Sequence, residues 1–369
     1  MRIRILDKYI FREVFYTFLF AICAFSIVFI GSGTLFRIAR FITDYGASFS
    51  SVVKIFVYSL PGVVIWTFPM SMLLTSLLTF GRMSGSSEIN AMKSCGIGFF
   101  RIATPAIILG LSISIFAVWF NEYIVPWANS AYARVVNYEI KGNTAPQSQE
   151  HVIIKDVAQG KINRIIYARQ YDSATERMVG VNIQLFENGK AKQVENAEYA
   201  EWGGDVWTMH NGVIYDIVDD SKEGKTPGKH TMKFKSQVLP VKMSPRDVLN
   251  QQKRPEEMTI KELRERIAIL DSQFVKTKKL ETELYQRFTV PLASLVFTLV
   301  GVPLGLQPNR HSSSMGFATS IIIIFFYYTL MVIGGAIGNG GVLPPAIAVW
   351  LPNFVGLIAG LYLMYKASK

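Results

Sequence analysis

The chain alternates between long uncharged stretches and short polar connections that carry most of its basic residues. Residues 14–36, 55–80 and 102–121 contain no Asp, Glu, Lys or Arg, and residues 288–306 form a fourth such run. Residues 315–365 stay uncharged throughout and include GGAIGNGGVLPP, which is typical of a tight turn between two helices. Because about 20 apolar residues cross the hydrocarbon core of a bilayer, the pattern predicts six transmembrane helices.

The middle of the chain, residues 130–255, follows a different pattern. Short alternating stretches such as HVIIKD, NRIIYARQYD and DVWTMHNGVIYDI are separated by Gly, Asn, Asp and Pro. This spacing is typical of antiparallel strands, so we expect one β sandwich or jelly roll inserted between two sets of three spans. The chain then divides into 1–129, 130–255 and 256–369.

Residues 258–284 have an apolar side and a strongly polar face. The apolar side consists of Ile260, Leu263, Ile267 and Leu270. This helical periodicity predicts a helix that lies in the membrane interface, and the alternative is a solvated connector helix.

The basic residues predict the orientation in the membrane. The connections on one side carry more Lys and Arg than those on the other, where only Arg37, Arg40 and Lys54 are found. Cytoplasmic loops are enriched in these residues, so we expect both termini in the cytoplasm and the β domain outside. The first run is too long for a signal-peptide core, and we expect it to remain uncleaved.

The polar loop at 81–101, GRMSGSSEINAMKSCGIGFFR, predicts a short cytoplasmic helix near 84–97. Its candidate N-caps are Ser84, Ser86 and Ser87. Glu88 would lie in the first turn, where the helix dipole favours an anion. Gly96 would follow the last turn, where a left-handed residue is common.

One face of this predicted helix is apolar, because Ile89, Met92 and Cys95 follow one another at a spacing of three. A helix this short is unstable alone and needs a partner surface, either the membrane or another protein. The alternative is a turn that only connects two spans.

Composition supports an integral membrane protein. Hydrophobic residues make up 50% of the chain, charged residues only 18%, and the mean hydropathy is +0.27. The net charge of +11 does not indicate nucleic-acid binding, because no basic run is interleaved with aromatic residues. Membrane topology and anionic head groups explain this charge better. The two cysteines, Cys23 and Cys95, are too few for a metal site, and a disulfide is not expected.

No catalytic motif is assembled in the sequence. Its histidines are isolated: His151, His210, His230 and His311. Gly224-Lys225-Thr226 resembles the end of a phosphate-binding loop, but Asp219 stands where that motif needs glycine. We therefore expect no catalytic residue, metal or cofactor in this chain. Titratable residues are also missing from the middle of the spans, which disfavours a proton-coupled transporter.

Arg37 and Arg40 lie at the outer end of the first span and are three residues apart. One helix face would present two guanidinium groups near the head groups, where they could bind the phosphate of a lipid. The alternative is ordinary snorkelling of interfacial arginines. Aromatic residues that would suit acyl chains, or equally pack in any helix bundle, are Phe25, Phe29, Phe68, Phe325 and Tyr328.

Three segments together resemble the LptF/LptG (YjgP/YjgQ) permease family. They are SGSSEINAMKSCGI at 84–97, ELYQRFTVPLASLVFTLVGVPLGL at 283–306 and GVLPPAIAVWLPN at 341–353. The resemblance covers essentially the whole chain and includes the order of three spans, an exterior β-jellyroll domain and three spans.

This resemblance implies the non-catalytic permease subunit of an ABC transporter that extracts lipopolysaccharide from the inner membrane. It implies an LptB-type ATPase dimer in the cytoplasm, which uses the ATP, and a second LptF/LptG-type permease. It also implies an LptC/LptA-type periplasmic bridge that receives the lipid from the β-jellyroll domain.

Site residues follow from the same resemblance. Glu88 lies in the helix that docks on the ATPase in this family, with Ile89, Met92 and Lys93 beside it. Arg37 matches a basic position that faces substrate phosphates in one branch of the family, whereas Arg40 has no firm counterpart.

Two other classes of function stay open at this point. A mechanotransmitting or scaffold subunit of another ABC system would move its exterior domain without carrying lipid. A secondary transporter would depend on an ion gradient, and the uncharged depths of the spans make it the weaker alternative.

Overall fold

The structure, a computed structural model, describes residues 5–140, 148–158, 161–172, 175, 177–187, 190–204, 206–216, 231–239, 253–272, 276–306 and 313–369. The chain divides into two compact units. One comprises Met1–Lys141, Pro255–Ile260 and Lys278–Lys369, and the other Gly142–Arg254 and Lys261–Thr277.

The first unit is a bundle of long helices. They are α1 (Ile5–Phe29), α2 (Leu35–Tyr45), α3 (Phe49–Gly85), α4 (Glu88–Ser94), α5 (Phe99–Arg134), α7 (Lys278–Gly305), α8 (Ser313–Gly340) and α9 (Pro345–Ser368). The π-helical turns Ile30–Thr34 and Val135–Ile140 join α1 to α2 and extend α5. Six helices in the described residues are long and apolar enough to cross a membrane, which confirms the predicted number of spans.

The spans are longer than the uncharged runs that predicted them. The first extends over Ile5–Tyr45 and the third over Phe99–Ile140, past the boundary that we placed at residue 129. The helices continue into polar sequence, because only the residues within the hydrocarbon core of the bilayer need apolar side chains. The second span begins with a side-chain cap, in which Ser48 Oγ accepts a hydrogen bond from the Ser51 N–H at 3.3 Å.

Helix α7 packs closely against α3 through two glycines. A Cβ atom at Gly301 would lie 2.7 Å from the Cβ of Ser76, and one at Gly305 would lie 2.9 Å from the Cβ of Phe80. Only glycine permits backbones this close. The VGVPLGL segment therefore sets the distance between the second and fourth spans.

A buried asparagine joins the last three spans. Asn353 on α9 accepts a hydrogen bond from the Tyr327 hydroxyl at 2.8 Å and donates to the Thr289 carbonyl at 2.8 Å. In an apolar surrounding a polar side chain needs such partners, so this pair of bonds fixes the relative rotation of α7, α8 and α9.

The predicted helix at 258–284 consists of two elements. Helix α6 covers Ile260–Ser272, and α7 begins at Lys278 and continues directly into the fourth span. Polar residues continue into α7, where Arg287 is only 5% exposed inside the bundle. The interfacial position of the predicted helix stays a prediction. The periodicity could not separate these two helices, since both carry apolar residues at helical spacing.

The second unit contains one six-stranded antiparallel sheet. Its strands are β1 (Ser148–Ala158), β2 (Lys161–Asp172), β3 (Arg177–Glu187), β4 (Lys190–Trp202), β5 (Trp207–Asp216) and β6 (Thr231–Leu239). An inserted antiparallel β domain is thus confirmed. Within the described ranges the strands pair in the order β1 to β6, so the connectivity of these six strands is a meander.

One row of residues across the sheet is left out of the strand pairing. Between β2 and β6 the strand pairing passes over one residue in each strand. These residues are Arg169, Gly180, Glu198, Asn211 and Lys235. Gly180 and Asn211 have positive φ angles of 66° and 52°, which locally redirect their strands.

Apolar side chains such as Tyr171, Ile183 and Trp207 form the buried core of this unit.

Candidate lipid cavity and cytoplasmic helix

The bundle contains a polar cavity of about 480 Å³ at the end of the spans that bears Arg37. Side chains from all of the first four spans line it. The polar ones are Arg37, Ser59, Asn121, Asn129, Tyr132, Glu256, Glu283, Gln286 and Arg287. An arginine among carboxyl and amide groups makes this cavity suitable for a charged head group.

Arg37 is exposed and lines this cavity, whereas Arg40 is exposed outside it. Arg37 makes no ion pair within the part of the chain that the structure describes. Its guanidinium is therefore available for an anion. Both arginines lie on α2, three residues apart, and of the two Arg37 lines the cavity, so phosphate binding by either stays a prediction.

The cavity wall is held together by a set of hydrogen bonds that we call the return clamp. It fixes the segment Pro255–Ile260, where the chain returns from the β domain to the bundle. Its bonds run from Arg287 Nη2 to the Pro255 carbonyl at 2.6 Å, from Asn129 Nδ2 to the Glu256 carbonyl at 2.9 Å, from Ser130 Oγ to the Glu257 carbonyl at 3.3 Å and from the Ile260 N–H to Glu122 Oε2 at 2.9 Å. Sequence reasoning missed this clamp, because its bonded partners lie between 32 and 138 residues apart in the chain.

An apolar groove of about 510 Å³ adjoins the polar cavity. The two share Phe29 and Trp66 in their linings. Its other residues are Met70, Ile324, Phe325, Tyr328, Thr329, Val332 and Ile333. A polar compartment next to an apolar one matches the two parts of a lipid molecule.

The predicted acyl-chain residues divide between this groove and the core. Phe29, Phe325 and Tyr328 line the groove, and the Tyr328 hydroxyl donates to the Trp66 carbonyl at 3.1 Å. Phe68 is 5% exposed and packs in the bundle core. Phe25 is half-buried and lies outside both linings.

The helix predicted at 84–97 is present as α4, which is shorter than predicted. It has seven residues, Glu88–Ser94, and Gly96 follows it with a φ of 80°, as the sequence predicted. The predicted serine cap is wrong: Ser87 has a φ of 61° and makes no side-chain cap bond. Ser86 is the last-turn cap residue of α3, and its hydroxyl donates to Glu88 Oε1 at 2.8 Å.

The two sides of α4 differ. Ile89 is 2% exposed and belongs to the bundle core, and Met92 packs against the same core. These two side chains therefore anchor α4 to the bundle core, and Ile89 is buried and not exposed on the outer side of the helix. Glu88 is half-exposed and Lys93 is exposed, so the outer side of α4 is polar.

Polar bonds tie α1 to the elements around α4. The Tyr9 hydroxyl donates to Glu88 Oε2 at 3.0 Å, and Arg101 Nη2 pairs with Asp7 Oδ2 at 2.7 Å. Arg82 pairs with Glu13. Asp7, Tyr9 and Glu13 thus connect the start of the first span to α3, α4 and α5.

Metal-ligating and nucleophilic side chains stay scattered in the described residues, where no group of three His, Cys, Asp or Glu could hold a metal ion. Cys23 and Cys95 are both free and exposed. His210 stacks on Tyr199, with 4.9 Å between the ring centroids. The segment Gly224-Lys225-Thr226, together with Asp219, His230 and His311, lies outside the described residues.

One carboxyl group lies inside the β domain. Glu195 on β4 is only 6% exposed. Burial raises the pKa of its carboxyl group above the ordinary value, while nearby Arg164 and a hydrogen bond from Gln237 oppose that rise. The alternating pattern of β4 did not reveal this residue, because a glutamate in a strand is normally exposed.

Six apolar spans, an inserted antiparallel β domain and a cavity with polar and apolar compartments define a multi-span membrane protein of the permease type. The family model "Lipopolysaccharide export system permease LptF/LptG" matches residues 8–366. The chain belongs to this LptF/LptG family of lipopolysaccharide export permeases. Two relatives are the lipopolysaccharide export system permease proteins LptG of Escherichia coli strain K12 and of E. coli O6:H1 (strain CFT073 / ATCC 700928 / UPEC). Each is 22% identical over 317 residues, which is 84% of this chain and 84% of the relative.

Proposed function

We propose that this chain is the membrane subunit of an ATP-driven exporter that extracts lipopolysaccharide from the inner membrane. The observation that carries the proposal is the junction of the two compartments at Phe29 and Trp66. Arg37 in the polar cavity would bind a phosphate of the lipid, and the groove beside Phe325 would take part of an acyl chain.

The energy for export would enter at α4. Glu88 and Lys93 on its outer side would contact an LptB-type ATPase dimer in the cytoplasm, and Ile89 and Met92 would transmit the contact to the bundle core. A helix anchored by buried apolar residues and exposing charges on its other side is suited to receive a partner.

The remaining partners follow from family membership. We propose pairing with a second LptF/LptG-type permease, because most of the first span and much of the fifth are not buried in this chain. The β domain would lie in the periplasm and pass the lipid to an LptC/LptA-type bridge. Both termini would then be cytoplasmic, in agreement with the distribution of basic residues.

Photo-crosslinking tests lipid binding in the groove. A benzophenone amino acid at Phe325, which lines the groove, is compared with one at Phe326, which is exposed on the same helix but outside it. In membranes that contain lipopolysaccharide we expect the adduct at Phe325 to decrease about tenfold in Arg37→Ala, because a charge-assisted hydrogen bond to phosphate is lost.

The adduct at Phe326 should not depend on Arg37, and Arg40→Ala should leave both adducts unchanged. A scaffold subunit that carries no lipid would give no excess adduct at Phe325 over Phe326. An adduct at Phe325 that is independent of Arg37 would rule out this arginine as the phosphate ligand.

A further inference from the structure

Glu88 is held by two donors from its own chain. Ser86 Oγ donates to Oε1 at 2.8 Å, and the Tyr9 hydroxyl donates to Oε2 at 3.0 Å. Each carboxylate oxygen has a second lone pair and can still accept a bond from a partner. The carboxylate is therefore oriented before any partner arrives.

The two donors have different origins. Ser86 ends α3 and lies two residues before Glu88, whereas Tyr9 belongs to α1 and is 79 residues away in sequence. Among the described residues, the Tyr9 hydroxyl is the donor that links this carboxylate to the first span. With the pairs Asp7–Arg101 and Glu13–Arg82 it makes three polar connections at the start of α1.

The same span carries Arg37 near its other end. Ile5–Tyr45 forms one membrane span through the π-helical turn Ile30–Thr34, and most of it faces away from the bundle. Ile10, Val14 and Phe18 pack the first half of this span into the bundle core, and the Tyr9 hydroxyl adds a polar bond from the same helix to Glu88. A displacement of the Glu88 carboxylate would therefore reach α1 through Tyr9.

We infer that Tyr9 is a positioning residue, which orients the Glu88 carboxylate for the cytoplasmic partner and links it to the helix that carries Arg37. This inference rests on the proposed docking of α4 on an ATPase. In the permease complex, a movement of Glu88 caused by the ATPase would then shift α1 through Tyr9, and with it Arg37 in the lipid cavity.

The test uses the full permease complex with its ATPase in lipid nanodiscs and compares Tyr9→Phe with Tyr16→Phe. Both variants lose one hydroxyl from α1, but Tyr16 is 62% exposed and its hydroxyl makes no bond to a described residue. We measure complex assembly, thermal unfolding, ATP hydrolysis with and without lipopolysaccharide, and lipid delivered per ATP.

We expect Tyr9→Phe to assemble and unfold like the parent, and to lose about threefold to tenfold of lipid delivered per ATP, as for the loss of one hydrogen bond to a carboxylate. Tyr16→Phe should match the parent. In combination with Glu88→Gln, Tyr9→Phe should cause a smaller loss than it causes alone, because the charged acceptor is already gone and only a weaker bond to the amide oxygen is left.

Three results would overturn the inference. If Tyr9→Phe delivers lipid like the parent while Glu88→Gln is impaired, the hydrogen bond from Tyr9 to Glu88 has no role in transport. Higher lipid delivery in Tyr9→Phe would show that the bond restrains Glu88 from contacting the ATPase. Full additivity with Glu88→Gln would mean that Tyr9 acts elsewhere. A silent Glu88→Gln would instead contradict the docking proposal itself.

Discussion

At the scale of single residues, the positions with the strictest requirements are glycines and buried polar groups in the bundle. Gly301 and Asn353 are examples, since one permits close backbone approach and the other satisfies two buried bonds. The sequence showed the motifs that contain them but not their partners. Those partners lie on other spans, and no local pattern encodes such distant contacts.

Gly301→Ala should destabilise the bundle by about 1–3 kcal/mol, because the new methyl group would overlap Ser76. Equilibrium unfolding in mixed micelles measures this cost. Gly31→Ala is the matched control, since a Cβ there meets nothing within 4 Å. Equal stability of the two variants would show that α3 and α7 are less closely packed than described.

Glu195→Gln should change the pH dependence of unfolding of the β domain. The raised pKa of Glu195 means that the folded chain holds a proton that the unfolded chain releases. Stability from this group is therefore complete below its ordinary pKa and falls as the pH rises through the folded pKa. Glutamine stays neutral, so the variant should lose this decline.

The measurement is the unfolding temperature of the full-length protein between pH 4 and pH 8. Glu198→Gln on the same strand, an exposed residue, should retain the decline. A parent protein whose β domain gains stability as the pH rises over this window would contradict the assigned role of Glu195.

At the scale of elements, the hydrophobic pattern predicted the six spans and the β domain, but not where each element ends. Helix α7 shows why: its first turns carry Glu283 and Arg287 and still continue into the span, since they line a cavity within the bundle. Helix α4 shows a second reason. The residue at its N-cap position, Ser87, has a positive φ and makes no side-chain cap bond.

The return clamp gives a prediction at this scale. Replacing both Asn129 and Ser130 by alanine removes two side-chain donors to the turn Pro255–Glu257. Amide hydrogen exchange in residues 256–260 should become about thirtyfold faster, because two bonds of about 1 kcal/mol each are lost. Ser112→Ala is the control, since Ser112 Oγ donates only to the Ile108 carbonyl in its own helix. Unchanged exchange in the double variant would show that Arg287 and Glu122 suffice to hold the turn.

At the scale of the whole molecule, family membership agrees with the arrangement of spans, β domain and cavity. The candidate site could be predicted only in part. Arg37 and Glu88 were proposed as site residues from their places at span ends, whereas the cavity around Arg37 needed the fold, because its wall combines residues from α2, α3, α5 and α7.

The central claim is that work done on α4 moves lipid from the cavity of this chain. The most direct measurement is the release of lipopolysaccharide from proteoliposomes that contain the permease complex and its ATPase to a soluble periplasmic acceptor. We expect release to require ATP hydrolysis, and to fall at least tenfold in Glu88→Ala and in Arg37→Ala. Release that survives ATP depletion and collapses with an ion gradient would contradict the account.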